Sequence, residues 1–312
     1  MGHHRTLYFL ILVLYILVFY AFYRITNWDP VKSINQPMVQ DFPVPDFINA
    51  ETFGLPDTLS FAGEPVPLNL KDVYERLDRE IHINIYWHTN TIFMMKRAHR
   101  WLPQMSAILR EEGIPDDFKY LVAIESNFQN DISDKAAVGF WQFRKNTAKE
   151  YGLEVSPEVD ERYNPIKSTH AACLYFIKAH KKFGTWTLAA ASYNRGSNGL
   201  QKALDNQKVG SYYDLMLNDE TSRYVFRVLA AKEVIEHSSK YGFEINEDDL
   251  YNEEPAHMVE VDSTISNLVD WSIAQGINYK ILRRFNPWLQ KNRLTVRKGN
   301  SYQIALPGNA DD

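Results

Sequence analysis

From Lys71 onward, apolar residues recur three and four positions apart, the spacing that gathers them on one face of a helix. The stretches "KDVYERLDREI", "IFMMKRAHRWLPQMSAILREEG" and "IPDDFKYLVAIES" all carry it. Gly113 and Pro115 punctuate them, and Pro115 suits a first helical turn. The same spacing predicts helices over 165–183, 185–195 and 220–239, separated by turns with glycine, so that residues 71–245 form an all-helical domain. An acidic stretch, "NEDDLYNEEPAH", then breaks the periodicity and reads as a linker over 246–256. Beyond it "HMVEV" and "SYQIALP" read as strands, and "TISNLVDWSIAQG" and "NYKILRRF" as short helices. This predicts a small β-α-α-β module over 257–312 whose two strands must pair for it to fold.

The N-terminal pattern is of another kind. An apolar run from Leu7 to Tyr23 has no polar face, and it reaches the lower end of the ~17–25 residues with which a helix crosses a bilayer. The bulky aromatics of "YAFYR" replace the small residues of a cleavage site, and no cysteine offers a lipid anchor, so residues 1–28 read as an uncleaved signal anchor. Positive charge before the run exceeds the single Arg24 after it, which predicts a cytoplasmic N-terminus, a single pass through the inner membrane and a periplasmic body. Seven prolines between Pro30 and Pro67 predict an extended tether over 29–70.

Composition narrows the chemistry. The 312 residues are 45% hydrophobic, enough for a substantial core plus a smaller unit, and a formal net charge of −5 argues against a nucleic-acid partner. Cys173 is the single cysteine, so no intrachain disulfide forms. It lies three residues after His170, which allows either a nucleophile pair on one helical face or a buried thiol beside a surface histidine. The histidines show no HExxH or similar spacing, and no metal or cofactor is expected.

One polar residue stands out within an apolar stretch. In "KYLVAIESNF", Phe118, Leu121, Val122 and Ile124 supply a buried stripe and Glu125 falls in the last turn. Poor solvation and the negative end of the helix dipole both favour its protonated form near neutral pH, as a glycosidase acid requires.

After Glu125 and Ser126 come "AAVGFWQF", then "AAASYNRG", then "ETSRYV". In this order the blocks resemble the lytic transglycosylase (SLT) domain of glycoside hydrolase family 23, nearest its membrane-bound D type, over roughly residues 75–240. The resemblance implies a lysozyme-like helical domain with a sugar-binding cleft and peptidoglycan glycan strands as the partner. It makes Glu125 the sole catalytic acid/base and assigns substrate-binding roles to Ser126, Ser133, Gly139, Gln142, Tyr193, Asn194 and Tyr224. Tyr193 and Tyr224 could instead pack in the core, and Gln142 could cap a helix. Trp141 and Trp186 either stack on sugars or belong to the core. The loop after Glu125 lacks the family's usual proline after Phe128, and Ala136 or Ala137 stands where glycine is frequent.

The reaction so implied cuts the bond between N-acetylmuramic acid and N-acetylglucosamine without water and leaves a 1,6-anhydro end. Hydrolysis would need a second carboxylate, for which Asp131 and Asp134 are the nearest candidates, and a non-catalytic envelope binder is a further alternative. Residues 257–312 resemble a LysM glycan-binding module, particularly at Asn286-Pro287 and the strand ending at Pro307, although Val261-Asp262-Ser263 replaces the usual Gly-Asp turn.

Overall fold

The structure, a computed structural model, describes residues 2–26 and 51–308 and is mainly helical. It divides into two compact units, residues 1–52 and 53–312. In the first, helix α1 (Gly2–Thr26) covers the apolar run, and its described side chains, Tyr8 and Leu12–Tyr23 among them, are all exposed. Among the described residues no helix is long and apolar enough to cross a membrane. Residues 29–50 of the expected tether lie outside the described residues.

The second unit begins inside that expected tether. Residues 53–70 fold onto the helical body: Phe61 is fully buried, and a two-residue hairpin pairs β1 (Ser60–Phe61) with β2 (Glu64–Pro65). Glu64 reaches the start of a distant helix, where its carboxylate accepts from the backbone N–H groups of Trp186 and Thr187 and from the Thr187 hydroxyl. Prolines exclude helix here, as the sequence predicts, but apolar Phe53, Leu55, Leu59 and Phe61 give the segment a reason to pack.

The helical body follows the periodicity. Helices α2 (Lys71–Tyr86) and α3 (His88–Glu111) lead, through a 3-10 turn over Asp116–Tyr120, into the short α4 (Leu121–Ser126). Then come α5 (Lys145–Glu150), α6 (Pro165–Phe183), α7 (Trp186–Arg195), α8 (Ser197–Gln207) and α9 (Asp219–Glu236). The bounds of α6 are written in its sequence. Asn164 accepts from the N–H groups of Ile166 and Lys167, Pro165 opens the first turn, and Gly184, at φ +79°, takes the left-handed position that ends the helix. Phe118, Leu121, Trp141, Phe176 and Phe226 meet in the core between these helices. Helix α2 packs along α9, where Arg223 forks onto the buried carboxylate of Glu80 at 2.6 and 3.1 Å.

In the C-terminal module, β3 (Ala256–Val261) and β4 (Tyr302–Pro307) pair antiparallel, from Ala256 opposite Pro307 to Val261 opposite Tyr302. Between them lie α10 (Leu268–Ala274) and α11 (Tyr279–Phe285). Asn286 is fully buried, and its amide bonds Leu282 O, Ala305 O and Ala305 N, which fastens the end of α11 to β4. The preceding acidic stretch lies against α3: Arg100 bonds the Asn252 carbonyl and pairs with Glu254, while Tyr251 N–H donates to Lys96 O.

The module also docks on the helical body. Val159 enters its apolar core and bridges to Leu289, while Asp160 N–H donates to Trp288 O and Gln290 N–H to Glu158 O.

Candidate active site

A cleft of about 1260 Å³ opens in the helical body, walled by the loop 133–144 and by parts of α6, α7 and α9. Glu125 lies in its lining because α4 stops just past it. Asn127 and Phe128 both take left-handed backbone, at φ 53° and 56°, and Arg97 Nε holds the Asn127 carbonyl at 2.7 Å. Two consecutive non-glycine residues in that region cost energy, so the surrounding structure must impose the turn. Ala136 and Gln142 are also left-handed, and four of the six positive-φ non-glycine residues among those described thus fall in 127–142. Such backbone persists only where the surrounding structure over-determines it, and here it is gathered in the segment that forms one wall of the cleft.

The Glu125 carboxylate accepts from Tyr224 Oη at 2.5 Å. Burial pushes its pKa up to about 7, against the opposing pull of the Tyr224 hydrogen bond and the Arg227 guanidinium, and the charge of Glu220 pushes in the same direction as burial. The phenols of Tyr193 and Tyr224 are held well above their ordinary range by burial and then by the nearby Glu125 charge, so both stay neutral hydrogen-bond donors. A carboxyl that titrates near neutrality, oriented by one phenol and open to a cleft, can give up a proton and take one back.

Ser133, Gln142, Tyr193, Asn194 and Tyr224 all join Glu125 in the cleft lining. The Ser133 hydroxyl accepts from Ala137 N–H at 3.1 Å and pins the turn in which Ala136 occupies the left-handed conformation. The side-chain nitrogen of Gln142 donates to the carbonyls of Asp131 and Gly139, and its amide oxygen has no partner among the described residues. Tyr193 donates to Trp141 O at 2.6 Å, which fixes the same wall from behind. Asn194 donates to Glu220 and accepts from Thr221, tying the end of α7 to the start of α9.

Two of the expected binding residues stand behind the wall. Ser126 is buried and donates to Phe140 O at 2.8 Å. Gly139, at φ +81°, brings its backbone against Arg162 rather than toward the cleft: a Cβ there would lie 1.9 Å from the Arg162 carbonyl oxygen. Trp141 is fully buried and donates to Thr169, Trp186 is half-buried against the core and stacks on His180 at 3.8 Å, and neither lines the cleft. Cys173 is buried with its thiol pushed up to about 12, and the ring of His170 bonds Glu112 instead, so they form no nucleophile pair. Of the acids considered as second carboxylates, Asp134 lines the cleft and Asp131 does not.

Glu220 and Arg227 were not singled out from the sequence. With Tyr224 they stand at 220, 224 and 227, four and three residues apart on one face of α9, and all three line the cleft. That spacing is legible in "ETSRYVFR", but it points to a site only once α9 is known to face Glu125. Among the described residues no group of three or more His, Cys, Asp or Glu could hold a metal ion.

Residues 105–215 match the family model of the transglycosylase SLT domain, and residues 257–310 match that of the soluble lytic transglycosylase C-terminal LysM-like domain. Among characterised proteins, the chain is 25% identical over 271 residues to membrane-bound lytic murein transglycosylase D of Escherichia coli K12. The counterpart in E. coli O6:H1 (strain CFT073) matches to the same extent. These matches cover 82% of this chain but 57% of each relative, so the chain spans little more than half their length. A putative tributyltin chloride resistance protein of Alteromonas sp. (strain M-1) is 32% identical over 126 residues, 40% of this chain and 61% of that one.

Proposed function

We propose that this chain, which carries a transglycosylase SLT domain and a LysM-like C-terminal domain, is a lytic transglycosylase that cuts peptidoglycan glycan strands. The observation that carries the reading is Glu125: a carboxyl with a pKa near 7, in the lining of a cleft of about 1260 Å³, held by Tyr224.

Protonated Glu125 donates to the oxygen linking N-acetylmuramic acid to N-acetylglucosamine. Tyr224 orients the carboxyl by holding Oε1, which leaves the other oxygen to carry the proton. As the bond breaks, the substrate's own acetamido group steadies the cationic sugar. Glu125, now ionised, removes the proton from the C6 hydroxyl of the muramoyl residue, and that oxygen closes on C1 to give a 1,6-anhydro end. An intramolecular nucleophile has a high effective concentration and needs no second carboxylate to activate water. A pKa near neutrality suits a residue that acts first as acid and then as base.

The LysM-like module would hold glycan in the groove of about 510 Å³ that runs along residues 259–267 to Trp271. The N-terminal apolar run would anchor the enzyme in the inner membrane with its body in the periplasm. The uninterrupted apolar sequence supports this, as do relatives described as membrane-bound.

Digestion of purified sacculi by the full chain, followed by mass spectrometry, tests the reaction. Anhydro products, lighter than hydrolytic ones by one water, are expected, and Glu125→Gln should lower their yield at least ~10²-fold. Products carrying the extra water would instead establish a muramidase using Asp134 or Glu220. A chain that binds sacculi and releases nothing would be a binder only.

A further inference from the structure

Apart from Glu125 and its neighbours, the cleft has a strongly basic stretch of wall. Arg144 stands at the start of α5, Lys178, Lys181 and Lys182 share one face at the end of α6, and Arg195 ends α7. These five cations face one carboxylate, Glu150, in a chain whose formal net charge is −5. Two contacts tie parts of it together: Lys178 bonds Glu150 of α5 at 2.6 Å, and Lys182 bonds the Ser197 hydroxyl at 3.0 Å across to α8. The remaining charged lining, Asp134, Lys135, Glu220 and Arg227, belongs to the loop and helix that surround Glu125. None of the five cations is among the groups that act on Glu125.

Fold stability accounts for part of this charge only. Lysines in the last turn of α6 complement the helix dipole, but Arg144 at the head of α5 opposes it. Among the described residues, neither the Arg144 nor the Lys181 side chain makes a hydrogen bond or ion pair. Both are exposed and line the cleft. Unpartnered cations gathered in a substrate cleft fit an anionic part of the substrate.

We propose that this basic wall binds the carboxylates of the peptide carried on the lactyl arm of the glycan, so that the enzyme selects peptide-bearing strands over denuded ones. The inference rests on the proposed transglycosylase reading. The sugars are otherwise neutral, and a stem peptide brings several carboxylates to a muramoyl residue lying in the cleft.

The test compares KM and kcat of the full chain on glycan strands of equal length, with their peptides and after amidase has removed them. KM on peptide-bearing strands should be about fivefold lower, the size expected of two exposed ion pairs, and the preference should shrink at high salt. In Arg144→Gln/Lys181→Gln the ratio of the two KM values should fall toward one, with kcat moving less than the ratio. A wild-type ratio near one, or a ratio unmoved in the double variant, would overturn the inference. So would tighter binding of denuded strands, since their bare lactyl carboxylates would then be what the cations read. Failure to release anhydro product from either substrate would instead remove the transglycosylase reading itself.

Discussion

At the scale of single residues, the chemistry turns on how the neighbours of Glu125 set its proton affinity. Tyr224 lowers its pKa by hydrogen bonding to the ionised form, and Glu220 raises it by repulsion. The two should therefore shift the pH profile in opposite directions. In Tyr224→Phe the alkaline limb of kcat/KM, expected near pH 7, should move upward, and in Glu220→Gln it should move downward. Rates on a soluble glycan between pH 5 and 9 would measure both. The same raised pKa affects stability. The folded state holds the Glu125 proton more tightly than the unfolded chain does, so folding stability falls as pH rises from about 4.5 through about 7. Glu125→Gln removes that penalty. Its melting temperature should match wild type near pH 4 and exceed it at pH 8, by up to about 3 kcal/mol in stability. Glu125 was legible in the sequence as a candidate from an acid closing an apolar helix together with the ordered blocks that follow it. Ser126 and Gly139 were expected to touch substrate because they stand in the sequence blocks that carry the resemblance, beside Glu125 and Gln142. Adjacency in the chain says little about which side of a turn a group faces, and Ser126 turns inward to Phe140 O.

At the scale of elements, the cleft wall 127–144 holds its shape through contacts made from behind. Arg162 is buried and forks onto Asp160 at 2.6 and 2.9 Å, while its other guanidinium nitrogen reaches Phe143 O and Ala136 O. The Arg162 carbonyl in turn occupies the space that a Cβ on Gly139 would need. Gly139→Ala should therefore push the wall away from Arg162 and strain a left-handed backbone. A loss of about 2 kcal/mol or more in stability is expected, together with loss of activity. Urea unfolding measures the first, and an unchanged midpoint would mean that the wall has slack. Helix bounds were legible wherever caps are written in the sequence, as at Asn164, Pro165 and Gly184. The hairpin over 60–65 was not, because two-residue strands carry no periodicity.

At the scale of the whole molecule, the C-terminal module and the cleft wall share one support. Val159 lies in the module's core, the next residue bonds Trp288 through its N–H, and the Asp160 carboxylate holds Arg162. Val159→Asp would put a charge into that core. The melt of residues 53–308 should then split into two calorimetric transitions, and turnover of glycans too short to reach the module should slow as well. An unsplit melt with full turnover would show that the docking carries no load. What the sequence determined by itself was set at short range: the apolar N-terminal run, the longer helices but not α5 or α8, the two strands of the module and an acid at the end of α4. The tertiary structure alone decided that Glu220 and Arg227 join Tyr224 around that acid and that residues 53–70 join the body. It also decided that the module braces the wall of the cleft. The physical reason is range: periodicity and capping act over a few residues, whereas the hydrogen bond that orients Glu125 comes from a residue 99 positions away.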